Sequence, residues 1–142
     1  EIVDAGHDLG NHTMTHTQMK TISAKSVDQE ISQCAELLNK LIGNHGSFFR
    51  PSGTQFSNAL IRKSAKKFGY QNCISYDVDS KDYLDPGKEA VISNVANGAK
   101  SGSIISLHFG HKNTVAAMPS IIENLNTKGL KPVTLTELIN TK

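Results

Sequence analysis

Short apolar runs alternate with amphipathic helical periods along this chain, and the links between them are only a few residues long. That alternation is the strongest constraint on the fold. Parallel strands cannot be joined by a tight turn and need a crossover, usually a helix. Strand–helix alternation therefore predicts an α/β structure with parallel strands, either a barrel or an open sheet. Val27, Ile31, Cys34, Leu38, Leu41 and Ile42 recur at three- and four-residue steps and mark a helix over 26–42. Ser26 would cap it, with Gln29 three residues on, and Gly43 would end it. Further helices are expected over 58–68, closed by Gly69, over 88–97, and over 115–128, where Pro119 must fall in the first turn to be tolerated. Thr136 would cap a last short helix. Strands are expected over 47–50, stopped by Pro51, and over 70–76, 103–108 and 132–135, with a strand end in 7–11. Residues 1–6 read as the last turn of a helix ending on a left-handed Gly6, so the chain reads as part of something longer.

The 142 residues, 37% of them hydrophobic, suffice for one compact domain over 1–142 and are too few for two ordinary ones. Net charge is +2 with Lys and Arg scattered, so no basic footprint for nucleic acid is present. The longest apolar runs are strand-length, which excludes a transmembrane helix. Cys34 and Cys73 lie far apart without CxxC spacing. Two buried thiols is the plainer reading, and a disulfide stays open.

In open or closed α/β sheets, chemistry collects at the carboxyl ends of the strands. Here those positions carry His12 and its neighbours, Arg50, Asp79, Asp82 and His108. His12 and His16 are four residues apart and would share one face of a helical turn, where two imidazoles can hold one divalent metal; a pair of surface or capping histidines fits the spacing equally. Arg50, before Pro51, Ser52 and Gly53, stands on a stiff turn and could clamp a carboxylate, or could be a surface residue. Asp77, Asp79 and Asp82 lack the calcium-loop pattern; one of them could pair with a histidine, or the segment could be a solvated loop. His108 ends an apolar strand and suits a general acid, or a structural role. His111 reads as a loop residue, and His7 and His45 as turn or surface residues.

Taken in order, these segments resemble the polysaccharide deacetylases of carbohydrate esterase family 4, the NodB-homology type. His12-Thr13-Met14-Thr15-His16 resembles that family's H-[ST]-x-x-H motif, Phe49-Arg50-Pro51-Ser52-Gly53 its third motif, Asp79-Ser80-Lys81-Asp82-Tyr83 its fourth, and Ser106-Leu107-His108 its fifth. The ending Gly129-Leu130-Lys131-Pro132-Val133-Thr134-Leu135-Thr136-Glu137-Leu138 also resembles the family's closing strand and helix. The resemblance implies an incomplete, distorted (β/α) barrel and one metal, most often zinc, held by His12, His16 and an Asp outside this chain. It implies that Arg50 orients a second Asp as base, that His108 protonates the leaving amine, and that Asp82 keeps His108 charged. The backbone N–H near Gly53 would help bind the oxyanion, and Pro51, Gly53, Tyr83, Ser106 and Leu107 would line the substrate pocket.

The family's first motif, T-F-D-D-G, is not among these residues. It supplies the base and the acidic ligand, so this chain alone is expected to be inactive and to bind metal weakly, and its unpaired strand edge to invite intermolecular pairing. Tyr83 stands where Trp is usual, Ser106 where Leu is usual, and Phe109 where Asp is common. The expected activity is N-deacetylation of an N-acetylated glycan, peptidoglycan or chitin-like, by a secreted or envelope protein. A non-catalytic carbohydrate-binding relative and an amidase on a small non-sugar amide are the alternatives.

Overall fold

The structure, a computed structural model, describes residues 1–140. It consists of two compact units, one spanning Glu1–Ser75 and one beginning at Tyr76.

The first unit runs β1 (Gly10–Asn11), α1 (Ala24–Ile42), β2 (Phe48–Phe49), α2 (Ala59–Lys67) and β3 (Asn72–Cys73). Its strands form a parallel sheet in the order β1-β2-β3, with Asn11 opposite Phe49 and Phe49 opposite Cys73. α1 buries Val27, Ile31 and Ala35 along one stripe. With Met19, Phe49, Ile61, Ala65 and Tyr70 they make the core of this unit. The α1 cap is Ser23, not Ser26: the Ser23 hydroxyl accepts from the Ser26 main-chain N–H at 3.2 Å. The helix starts one turn earlier because Ser23 has the extended conformation a cap requires. Gly43 closes it at φ 76° as expected, while Asn58, expected to be the first residue of the second helix, caps α2 instead. Residues 1–6 form a hydrogen-bonded turn rather than a helix end, although Gly6 is left-handed at φ 81°. Between α1 and β2 only glycine fits at Gly46: its φ is 76°, and a Cβ there would sit 2.4 Å from the Leu9 carbonyl oxygen.

The second unit runs β4 (Val78–Asp79), a 3₁₀ turn (Asp82–Leu84), α3 (Lys88–Gly98), β5 (Ile105–Ser106), α4 (Lys112–Thr127) and α5 (Leu135–Asn140). β4 and β5 are parallel, with Asp79 opposite Ser106. α3 and α4 pack together through Val91, Val95, Ala99, Ala117, Ile121 and Leu125, with Ile105 and Leu107 against them. The fold is thus α/β with parallel strands and helical crossovers, as the alternation predicts, and among the described residues the strands do not close a barrel. Each strand is two residues long, shorter than the apolar runs imply. Among the described residues no helix is long and apolar enough to cross a membrane.

Three expectations fail here. Residues 132–135 form no strand, and α5 begins at Leu135. Thr134 rather than Thr136 starts it: its hydroxyl accepts from the Glu137 N–H, and the Glu137 carboxylate accepts from the Thr134 N–H at 2.9 Å, a reciprocal capping box. Pro119 lies in the middle of α4, because the helix begins at Lys112 rather than Val115. It gives the Val115 carbonyl no helical donor. Pro119 and Val115 are both exposed, and burial of Thr114, Ala117, Ile121 and Leu125 holds the helix on the other side. Replacing Pro119 with Ala restores the missing bond. Pro119→Ala should therefore stabilise the protein by roughly 2 kcal/mol, proline's helix-interior cost less its unfolded-state benefit. Denaturant unfolding of the two proteins checks this, and an unchanged or lower midpoint would count against the account.

Candidate active site

The residues singled out by sequence divide between the two units, His12, His16 and Arg50 in the first and Asp82 and His108 in the second. His12 leaves β1 directly. The segment that follows is not helical: Thr13 and His16 are left-handed, at φ 69° and 58°. The expectation of a shared helix face is wrong, yet the two rings meet, with centroids 5.1 Å apart in an edge-to-face arrangement. A loop brings them together because its own polar groups are tied down. Asn11, 1% exposed, accepts from the Thr13 N–H through Oδ1 and donates through Nδ2 to the Ile31 carbonyl and to the Tyr70 hydroxyl. The Thr13 hydroxyl donates to Ser52 Oγ, and Ser52 donates to the Thr17 carbonyl.

Arg50 follows β2, and its main chain fixes His12. The Arg50 N–H donates to the Asn11 carbonyl at 3.0 Å, and the Arg50 carbonyl lies 2.7 Å from His12 Nδ1. A carbonyl only accepts, so Nδ1 carries the proton and Nε2 holds the lone pair of the neutral ring. That tautomer is the one a metal-binding imidazole needs, and a backbone carbonyl is a usual partner for its other nitrogen. Pro51 and Ser52 are buried, and Gly53 is exposed and left-handed at φ 64°. Cys34, half-buried and free, receives the His12 N–H, but burial dominates and pushes the thiol up. Cys73 is likewise free and half-buried.

In the second unit Asp82 is 1% exposed. Its Oδ1 lies 2.7 Å from His108 Nδ1, and its Oδ2 accepts from the His108 N–H at 2.7 Å and the Thr114 hydroxyl at 2.8 Å. Burial raises the Asp82 carboxyl. The His108 ring, the His108 N–H and the Thr114 and Ser80 hydroxyls outweigh burial and hold it at about 2, from an ordinary 3.8. An ionised carboxylate only accepts, so His108 presents Nδ1–H to Asp82 and keeps Nε2 for exchange. The Tyr83 ring stands edge-on to His108 at 5.4 Å, and Tyr83 is half-exposed. Ser106 is buried, and Leu107 packs on the α3–α4 core. His111 is the α4 cap residue and pairs with Asp85 at 2.9 Å.

Sequence reasoning missed Thr114 and Glu30. Thr114 sits in the first turn of α4. Glu30 sits on α1, and its carboxylate accepts from the Met14 N–H, the Thr15 N–H and the Thr15 hydroxyl. Neither lies in a local motif, so only the tertiary fold reveals them. Among the described residues no three His, Cys, Asp or Glu cluster as a metal site. His12 and His16 fit as two of the three protein ligands that catalytic zinc takes.

The polysaccharide deacetylase family profile matches residues 1–73. A peptidoglycan-N-acetylglucosamine deacetylase of Bacillus cereus is 34% identical over all of this chain and 68% of its own length. The chain belongs to the polysaccharide deacetylase family. A second Bacillus cereus peptidoglycan-N-acetylglucosamine deacetylase is 30% identical, and the chain spans 52% of it. Among solved structures, a family 4 carbohydrate esterase from Streptomyces lividans in complex with acetate superposes with a TM-score of 0.84 at 32% identity, over 94% of this chain and 68% of that one. A family 4 pseudoenzyme from Bacillus anthracis superposes at 0.89 with 26% identity, over 98% of this chain and 48% of that one. The fold of this deacetylase-family chain is therefore shared by relatives with and without activity.

The depressed Asp82 carboxyl has a consequence for stability. Its folded value of about 2 lies below the unfolded 3.8, so its contribution is complete above about pH 4 and is lost as pH falls toward 2. The size is roughly 2 kcal/mol. Between pH 5 and 2 the wild type should lose that much more stability than Asp82→Asn, in denaturant titrations followed at each pH. Parallel pH profiles for the two proteins would show that Asp82 is not held ionised.

Proposed function

We propose that the protein carrying this sequence is a metal-dependent polysaccharide N-deacetylase that hydrolyses acetamide groups of peptidoglycan or a chitin-like glycan. Family membership supports the reaction class, and the observation that carries it to this chain is the Asp82–His108 pair, with Nδ1 of the ring fixed on a buried carboxylate. Residues 1–142 form one catalytic domain of the NodB-homology type in this reading, secreted or held in the cell envelope, where peptidoglycan lies.

The roles follow from the donors. His12 and His16 hold a divalent metal, zinc in our reading, and a third ligand, an Asp, comes from outside residues 1–142. When bound, that metal supplies Lewis-acid polarisation of the acetamide carbonyl. The Arg50 carbonyl keeps the His12 lone pair on Nε2. The Arg50 guanidinium orients the carboxylate base, which also lies outside these residues. The main chain at Gly53 offers an N–H to the developing oxyanion. A water molecule adds its oxygen to the acetamide carbon as the carboxylate base takes its proton, and His108, held by Asp82, gives its Nε2 proton to the leaving amine as the C–N bond breaks, so acetate and a free amine result. Pro51 and Gly53 in the first unit, and separately Tyr83, Ser106 and Leu107 in the second, are the residues of this chain that contact the sugar or acetyl group in this reading.

A second reading rests on the likeness to the Bacillus anthracis pseudoenzyme: a carbohydrate-binding relative that keeps the scaffold without turnover. Acetate release from peptidoglycan and N-acetylglucosamine oligomers by the full-length protein separates the two. The expected result is release that a chelator abolishes and zinc restores, with His108→Ala lowering kcat by about 10²- to 10⁴-fold and leaving zinc binding intact. No release from a folded, zinc-loaded protein supports the pseudoenzyme reading. Undiminished release by His108→Ala removes His108 as the acid.

A further inference from the structure

The segment between His12 and His16 is held in an uncommon conformation. Thr13 and His16 both have positive φ, 69° and 58°, which costs on the order of 1–3 kcal/mol each and is most unusual for a β-branched residue such as Thr13. Such strain persists only where surroundings fix it. Thr13 is fixed by Asn11 and Ser52. The Met14–Thr15 peptide, which turns the chain toward His16, is fixed by one side chain from elsewhere. Glu30 Oε2 accepts the Met14 N–H at 3.0 Å and the Thr15 N–H at 2.8 Å, and Oε1 accepts the Thr15 hydroxyl at 2.6 Å. A carboxylate can take these donors at once because it is acceptor-only. Burial raises the Glu30 carboxyl, and these bonds outweigh it and keep it below its ordinary value.

We propose that Glu30 is a positioning residue for the His12–His16 pair: by chelating the Met14–Thr15 turn from α1, it sets His16 against His12 before any metal arrives. This rests on the reading of His12 and His16 as metal ligands. α1 is a rigid support, with its Val27 and Ile31 faces, one turn before and one residue after Glu30, wholly buried. The anchored carboxylate thus ties the ligand loop to the most firmly packed element of its unit. The Glu30 carboxylate oxygens are taken up by the Met14–Thr15 turn, and in this reading Glu30 is not itself a metal ligand. Its effect is on geometry, so its loss appears as weakened affinity more than as lost chemistry.

The test is zinc affinity of the full-length protein, measured by competition with a chromogenic chelator and independent of turnover. Glu30→Ala removes both acceptor oxygens and with them all three hydrogen bonds, and Glu30→Gln keeps the shape but replaces one acceptor with a donor. Glu30→Ala should weaken zinc binding by about 10- to 100-fold, the range seen when supports of metal ligands are lost, and Glu30→Gln by less. At saturating zinc, Glu30→Gln should regain most of the wild-type kcat. Glu36→Ala, an exposed acid on the same helix, controls for charge and should bind zinc as the wild type does. His16→Ala distinguishes the two levels. If His16→Ala weakens zinc binding and both Glu30 variants, folded by circular dichroism, bind as tightly as wild type, the positioning role is wrong. If Glu36→Ala weakens binding as much as Glu30→Gln, the effect is general charge and the positioning role is again wrong. If His16→Ala leaves zinc binding unchanged, the metal reading itself fails.

Discussion

A buried polar side chain must find partners for every group it carries, and each unit of this protein is organised around one that does. In the first, Asn11 at the end of β1 joins the ligand loop through Thr13, α1 through the Ile31 carbonyl, and Tyr70 beyond α2. In the second, Asp82 joins the 3₁₀ turn after β4 to the end of β5 and the start of α4. Leaving such a group unsatisfied in a dry interior costs about 1–3 kcal/mol, more for a charge. With strands only two residues long, backbone ladders give little register information. The polar hubs supply it, and they do so at the strand ends where chemistry is placed.

Helices were legible in the sequence because apolar periodicity and caps are local. Val27, Ile31 and Gly43 hold the positions their spacing and chemistry imply. The errors have a common cause. Ser23 and Ser26 both satisfy a cap pattern, and only backbone conformation separates them. Pro119 forbids a helix on local grounds, and packing of the opposite face of α4 overrides it. The apolar content of 132–135 looks strand-like, but no neighbour in the described residues pairs with it.

The site was legible by residue type and not by geometry. His12, His16, Arg50, Asp82 and His108 stand out because those side chains at strand ends have few structural reasons to be there. Their supports do not stand out. Thr114 and Glu30 are an ordinary first-turn threonine and an ordinary helix-surface glutamate until the fold brings them to Asp82 and to the Met14–Thr15 turn. The likeness to the Bacillus anthracis pseudoenzyme makes the same point from outside: a shared scaffold leaves open whether turnover is kept.

In free histidine the ring proton exchanges between two distinct nitrogens, and in this protein His12 and His108 each have it fixed on Nδ1. His12 is wired to a neutral carbonyl and His108 to an anion. In the roles proposed above, that leaves Nε2 of His12 as an electron-pair donor and Nε2 of His108 as a proton donor. The identity of the role is written in the partner atom rather than in the histidine. Divergence can therefore pass unseen by a comparison that scores only the histidines: a change at Asp82, whose side chain holds Nδ1 of His108, rewires that ring while the histidine stays the same.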